Sequence, residues 1–233
     1  MRTAVIHQPN FLPGLTYFDK IDQADIFVIL DNVQFVKRNW INRNKIKSPD
    51  GPMWITVPVR TKGKYTQSIS ETEIDSGRDW QIRHATAIAH SYSRSIYYAF
   101  YAYDIQGICR KEFASIAALN ERLLRECITW LGIETPIVRA SELGVNGTST
   151  DLLLDVCEAV SADRYLSGPG GKKYMDVSKF AERGVQLEFH EYKHPEYQQR
   201  YGFFEKDMSI CDLLFNEGRD SLKILRSGRK VHA

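Results

Sequence analysis

Polar and apolar positions over residues 3–30 specify a strand, a helix and a second strand. Residues 3–8 alternate and are rich in β-formers, which predicts a buried strand. Past the turn Pro9 to Gly14, Leu15, Phe18 and Ile21 recur at helical spacing, and Ala24 to Leu30 follow as a near-continuous apolar run. This βαβ pattern predicts two parallel neighbouring strands, because the crossover between such strands is right-handed and returns them to one sheet. Ligands of these sheets sit beyond the carboxyl ends of the strands, which here carry His7-Gln8-Pro9-Asn10 and Asp31-Asn32.

Further along, Met53 to Val59 read as a third strand, preceded by the turn Ser48-Pro49-Asp50-Gly51. Residues 79–132 turn helical, so the expected organisation is a single α/β domain over 1–233 with a helical insert at 79–132. The rings of Tyr97, Tyr98, Phe100, Tyr101 and Tyr103 suit core packing and helix contact better than a nucleobase platform, and a homodimer contact is another use for them. Phe113, Ile116, Leu119, Leu123, Cys127 and Leu131 share one helix face, which Gly132 ends. A second α/β stretch has a short strand at Ile137-Val138 and a helix behind the hydroxyl caps of Thr148-Ser149-Thr150-Asp151. Tyr165-Leu166 then read as a strand running into Ser167-Gly168-Pro169-Gly170-Gly171, followed by a helix through Phe180, a strand at Val185 to Phe189 and a final helix near Ser209 to Phe215. The expected fold class is therefore α/β, a Rossmann-like parallel sheet with a central helical insert.

Composition narrows the class. Hydrophobic residues make up 43% and charged residues 26%, and no apolar run approaches the roughly 18 residues of a membrane span. The N-terminus enters a strand pattern with no apolar signal core, so the expected location is the cytoplasm. A net charge of +2 argues against duplex DNA as a partner. It hides a local cluster, Lys37, Arg38, Arg43, Lys45 and Lys47, which a solvated face explains as readily as an anion site. Cys109, Cys127, Cys157 and Cys211 are far apart in apolar patterns, and buried thiols are expected.

Four segments carry candidate chemistry. His7-Gln8-Pro9-Asn10 places an imidazole and two carboxamides behind a buried strand, groups that suit a phosphate, a sugar hydroxyl or an amine; a structural histidine bonded to nearby backbone is the alternative. Asp31-Asn32 is followed by Gln34, Lys37 and Arg38, a carboxylate beside cations that suits an amine nucleophile or a metal together with phosphate oxygens. Trp40-Ile41-Asn42-Arg43-Asn44 adds a guanidinium and two amides around an apolar ring, with turn capping as the plainer role of the amides. Ser167, Gly168, Gly170, Gly171 and Lys172 lie between a strand and a helix, where backbone amides and a cation cradle phosphate, although the P-loop spacing is missing. A metal site is not expected: His190 and His194 are spaced for one, but Pro195 breaks any helix that would present them.

Several of these strings together resemble the WbqC-like protein family. They are His7-Gln8-Pro9-Asn10-Phe11-Leu12-Pro13, Tyr17-Phe18-Asp19-Lys20-Ile21, Asp31-Asn32-Val33-Gln34-Phe35, Trp40-Ile41-Asn42-Arg43-Asn44, Val57-Pro58-Val59, Tyr165-Leu166-Ser167-Gly168, Tyr174-Met175-Asp176 and Ser209 to Gly218. Gly14 and Thr16 depart from the family pattern, which has Trp and Gly there. The βαβ opening is also similar to the nucleotidyltransferase and pantothenate-synthetase-like superfamily, but His7 has no histidine partner in the following turn.

The family resemblance implies a bacterial protein of O-antigen, lipopolysaccharide or other surface-polysaccharide biosynthesis. The expected activity is a transferase that acylates the amine of a nucleotide-linked amino sugar, with an amino acid among the candidate acyl groups. His7 or Asp31 would take the amine proton, Asn10 and Gln8 would orient the amine or steady an oxyanion, and the cations with the Ser167 turn would neutralise diphosphate. No cofactor is fixed by the sequence; an acyl or aminoacyl carrier, or ATP with Mg²⁺, would supply the activated group. A noncatalytic sugar-nucleotide scaffold and an ATP-dependent nucleotidyltransferase or ligase are the competing expectations.

Overall fold

A computed structural model describes residues 1–230, so the last three positions of the expected domain lie outside the described residues. The chain opens with β1 (Thr3–His7), α1 (Leu15–Asp22) and β2 (Ile26–Ile29), the predicted βαβ unit. A hairpin follows, β3 (Arg43–Ser48) and β4 (Gly51–Thr56), and then three helices, α2 (Trp80–Tyr92), α3 (Tyr98–Cys109) and α4 (Ile116–Leu131). The second α/β stretch is β5 (Ile137–Arg139), α5 (Ser149–Ala159), β6 (Arg164–Ser167), α6 (Val177–Glu182) and β7 (Gln186–Phe189). Two helices, α7 (Ile210–Glu217) and α8 (Ser221–Ser227), close the described chain.

Five strands form one sheet in the order β5-β2-β1-β6-β7, every neighbouring pair parallel. The fold is therefore α/β and Rossmann-like. Both faces are covered, which is why the strands read as apolar runs. Val5, Phe27 and Ile29 pack on one side with Phe18, Leu123 and Phe215; Ala4, Ile6, Ile26 and Val28 pack on the other with Leu153, Val156 and Phe180.

The chain builds β2 and β5 on one side of β1, then crosses to add β6 and β7 on the other, so the order reverses between β1 and β6. β1 pairs with β2 as far as His7 with Ile29, but with β6 only at Thr3 and Ala4. The carboxyl ends of β1 and β6 thus part, leaving the crevice in which open α/β sheets bind ligands.

Local signals explain the helix ends. The Ser115 hydroxyl accepts the Ala118 amide at the start of α4, and Gly132 ends that helix with a left-handed φ of 72°. The Ser209 hydroxyl accepts the Cys211 amide and caps α7. The stretch read as one strand at 53–59 is instead β4, paired antiparallel with β3 in a separate two-stranded sheet. β3 was hidden by its charges: Arg43, Lys45 and Lys47 alternate with Asn44 and Ile46, and Lys47 is buried, donating to the Gln199 side chain and the Phe203 carbonyl. The aromatic stretch divides, Tyr101 being buried while Phe100 and Tyr103 are exposed. All four cysteines are buried and free, and among the described residues no helix is long and apolar enough to cross a membrane.

Candidate functional site

The loop from His7 to Leu12 leaves β1 with Pro9, Phe11 and Leu12 buried and His7, Gln8 and Asn10 half-buried, so its carbonyls need donors. Three side chains from distant elements supply them. Tyr17 Oη donates to the Gln8 carbonyl (3.0 Å), Asn120 Nδ2 to Pro9 (2.9 Å), and Asn44 Nδ2 to Phe11 (3.1 Å) and Leu12 (2.7 Å). Leu12 is held at a φ of 41°, an unfavourable value for a branched side chain that these bonds over-determine. Asn120 also donates to the Ile41 carbonyl (2.7 Å), which ties the 40–44 segment to the same loop.

The loop walls a cavity of about 500 Å³ at the crevice between β1 and β6. His7 and Asn10 line it from β1, and Gly14 to Tyr17 with Lys20 from α1. Trp40, Asn44 and Lys45 border it on the hairpin side; Tyr165, Ser167 and the Gly168 to Gly171 turn border it on the β6 side. Gly14 is one of the two departures from the family pattern, and the Met208 carbonyl stands 2.8 Å from where its Cβ would be, so no larger residue fits without moving that segment. Gly171 is fixed similarly, its Cβ position being 2.4 Å from Ser167 Oγ, whereas a Cβ on Gly170 would meet nothing within 4 Å.

Electrostatically the cavity is cationic but proton-poor. His7 Nδ1 donates to the Gln8 carbonyl (3.0 Å), which leaves Nε2 as the acceptor of a neutral ring. Burial, aided by the neighbouring Lys20 cation, lowers the His7 pKa to about 3. Lys20 is only 4% exposed, and burial lowers its pKa to about 8. Trp40 packs against Trp54 with ring centres 5.1 Å apart, and Lys45 Nζ lies 5.8 Å from the first ring and 5.4 Å from the second.

Of the residues singled out in the sequence, His7, Asn10, Trp40, Ser167, Gly168, Gly170 and Gly171 meet at this cavity. Asn44 of the 40–44 segment and Lys45 of the charge cluster line it as well, whereas the following residues do not. Gln8 contributes its carbonyl to the loop's bonding. Asp31 is buried and accepts the Ser141 amide and hydroxyl, Asn32 donates to the Val145 carbonyl and Gln34 to that of Tyr65. Lys37, Arg38 and Asn42 line a second cavity of about 430 Å³ with Arg78 and Arg83. The Arg43 guanidinium stacks 4.3 Å from the Trp54 ring centre, and Lys172 Nζ sits 4.9 Å from that of Phe189. The helix expected directly after the glycines is a 3₁₀ turn, Pro169–Lys173, with α6 beginning only at Val177.

Sequence reasoning assigned no role to Lys20, Tyr17 or Asn120, and offered Asn44 as a ligand amide or a turn cap, whereas its amide holds the Phe11 and Leu12 carbonyls. Helical spacing alone would have found one pair, since Thr16 and Lys20 are four apart and both line the cavity. Asn120 carries no sequence signal, because what it bonds to is set by the tertiary fold. Among the described residues no three of His, Cys, Asp and Glu converge in a metal-holding group, and His190 is instead bonded to Asp19 at 2.7 Å.

Comparison with known proteins agrees with the resemblance. A protein of Mycobacterium tuberculosis (strain ATCC 25618 / H37Rv) named uncharacterized protein Rv1507c is 37% identical over 232 residues, covering 99% of this chain and 100% of its own. No solved structure matches. Residues 8–224 match the profile of the WbqC-like protein family, a span that includes the cavity-lining loop, α1, the hairpin and the glycine turn, and the chain belongs to that family.

Proposed function

We propose that this protein is a sugar-modifying enzyme of bacterial glycan biosynthesis that acylates the amine of a nucleotide-linked amino sugar bound between β1 and β6. Membership of the WbqC-like family supports a role in polysaccharide biosynthesis. The observation that carries the site is the convergence of His7, Asn10, Trp40 and the Ser167 to Gly171 turn, distant in sequence, on one cavity at the point where strand order reverses.

In this reading the sugar amine attacks the carbonyl carbon of an acyl or aminoacyl carrier, forming the N–C bond as the bond to the carrier breaks. His7 Nε2 accepts a hydrogen bond from the amine, takes its proton as positive charge develops on nitrogen, and returns it to the leaving group. The Asn10 carboxamide orients the amine or donates to the carbonyl oxygen. Asp31 is left out of the proton path because both its oxygens are engaged by Ser141. The same engagement counts against an ATP-dependent route with Mg²⁺ at Asp31.

One observation favours a second reading, a noncatalytic sugar-nucleotide scaffold: a histidine held near pKa 3 is a weak general base. Incubation with dTDP- or UDP-amino sugars and acyl or aminoacyl donors, read by mass spectrometry, separates the two. A mass-shifted sugar that disappears in His7→Ala supports the transferase. Calorimetric binding of sugar nucleotides with no product from any donor supports the scaffold. Heat from ATP that requires Mg²⁺ would revive the ligase.

A further inference from the structure

An α-helix begins with amides that have no intrahelical acceptor, and α1 begins behind Gly14 with no side chain capping it. Its first residues, Leu15, Thr16 and Tyr17, line the cavity; the Tyr17 amide is taken by the Gly14 carbonyl (3.1 Å), which leaves those of Leu15 and Thr16 for a ligand. One turn on, Lys20 lines it too, although it is 4% exposed. A buried ammonium normally has a carboxylate beside it. Lys20 has none within ion-pair distance among the described residues, its ammonium lying 5.8 Å from the Tyr17 ring centre, and no carboxylate raises its pKa. Its neighbours in sequence are committed elsewhere: Asp19 accepts from His190 and Arg229, and Asp22 from Arg226 and Arg229. Across the crevice Lys20 Nζ lies 3.4 Å from where a Cβ would stand on Gly168, so glycine backbone is what it faces there.

The geometry points to Lys20 and the uncapped first turn of α1 as the anion anchor of the cavity, built to seat a phosphoryl group of the ligand. This rests on the reading of the cavity as the substrate site, and it moves the charge partner of the phosphate from Lys172, which stacks on Phe189, to Lys20. A phosphoryl oxygen would accept from the ammonium and from helix amides together, while the dipole of α1 favours the same negative charge. The nucleotide diphosphate of an activated sugar and the phosphates of an acyl carrier share this chemistry. His7, Tyr17, Lys45, Tyr165, Tyr174 and Asp207 are the other titratable groups on the cavity.

Calorimetry with inorganic pyrophosphate, UDP and coenzyme A on the whole chain tests the anchor, comparing wild type with Lys20→Met. Wild type should bind pyrophosphate or UDP, and Lys20→Met should bind at least about tenfold more weakly while melting no lower, since an unpaired buried charge has been removed. Wild-type binding should also weaken as pH rises past about 8, and the variant's should not. UDP or coenzyme A, whichever loses affinity, identifies the source of the phosphate. If Lys20→Met does not fold, Lys20→Gln serves with the same expectation. Binding by the variant within twofold of wild type, or no binding of any probe by wild type, overturns the anchor. Loss of pyrophosphate binding in the variant with no acylation by wild type would leave the anchor standing and remove the transferase; acylation with an unchanged KM for the sugar nucleotide in Lys20→Met would do the reverse.

Discussion

Asp31 accepts the Ser141 amide at 3.0 Å and the Ser141 hydroxyl at 2.7 Å, a clasp between the end of β2 and the turn after β5. The clasp gives a carboxylate that looks catalytic in sequence a structural task. Asp31→Ala leaves the Ser141 donors without their acceptor and should cost about 1–3 kcal/mol in chemical denaturation. Its sugar-nucleotide affinity should stay at the wild-type value; a selective loss of binding in a fully stable variant would return Asp31 to the site.

Two histidines make the fold sensitive to acid. Burial lowers the pKa of His7 to about 3 and that of His84 to about 4, so the unfolded chain, titrating near 6.5, binds more protons than the native one in between. Stability is therefore full above pH 6.5 and falls as pH drops toward 4, with a slope approaching one proton for each histidine. Urea midpoints of His7→Gln and His84→Gln across this range should each fall less steeply than those of wild type. Slopes equal to wild type would show that neither ring is held neutral.

Adjacent glycines in the β6 turn should respond in opposite ways. Gly171→Ala puts a Cβ 2.4 Å from Ser167 Oγ and 2.5 Å from Met175 Cε, and overpacking of this kind costs about 1–3 kcal/mol. A Cβ on Gly170 meets no protein atom within 4 Å, so Gly170→Ala should melt within about 0.5 kcal/mol of wild type. It should still weaken ligand binding, because Gly170 lines the cavity. Thermal melts paired with calorimetry read both effects.

Trp40 is 38% exposed and lines the cavity, whereas Trp80 is buried on α2. Sugar or nucleotide binding should therefore change intrinsic tryptophan fluorescence, and Trp40→Phe should remove most of the change. A full signal in that variant would place the ligand away from the hairpin side.

How much of this was legible depended on how far each contact reached along the chain. The strands and helices of residues 3–30 were readable because a sheet covered on both faces writes its burial directly into apolar runs. β3 was not readable, since Arg43, Lys45 and Lys47 present as a solvated charge cluster until Trp54 and the Gln199 to Phe203 segment are seen to cover them. The site was half legible. His7, Asn10 and the Ser167 turn sit directly behind strands, where the rule about carboxyl ends applies, but Lys37 and Arg38 lie in the same loop as Asp31 and open on a different cavity.

The sequence by itself determined the parallel α/β fold, its family and the two strand ends that meet at the cavity. Periodicity is a local property, and each strand end inherits its place from its own strand. Only the tertiary structure decided that Lys20, close in sequence to Asp19 and Asp22, has no counter-charge among the described residues, because His190, Arg226 and Arg229 arrive from the far end of the chain to take both carboxylates. A charge's partners are fixed by distance in space, which sequence order does not encode.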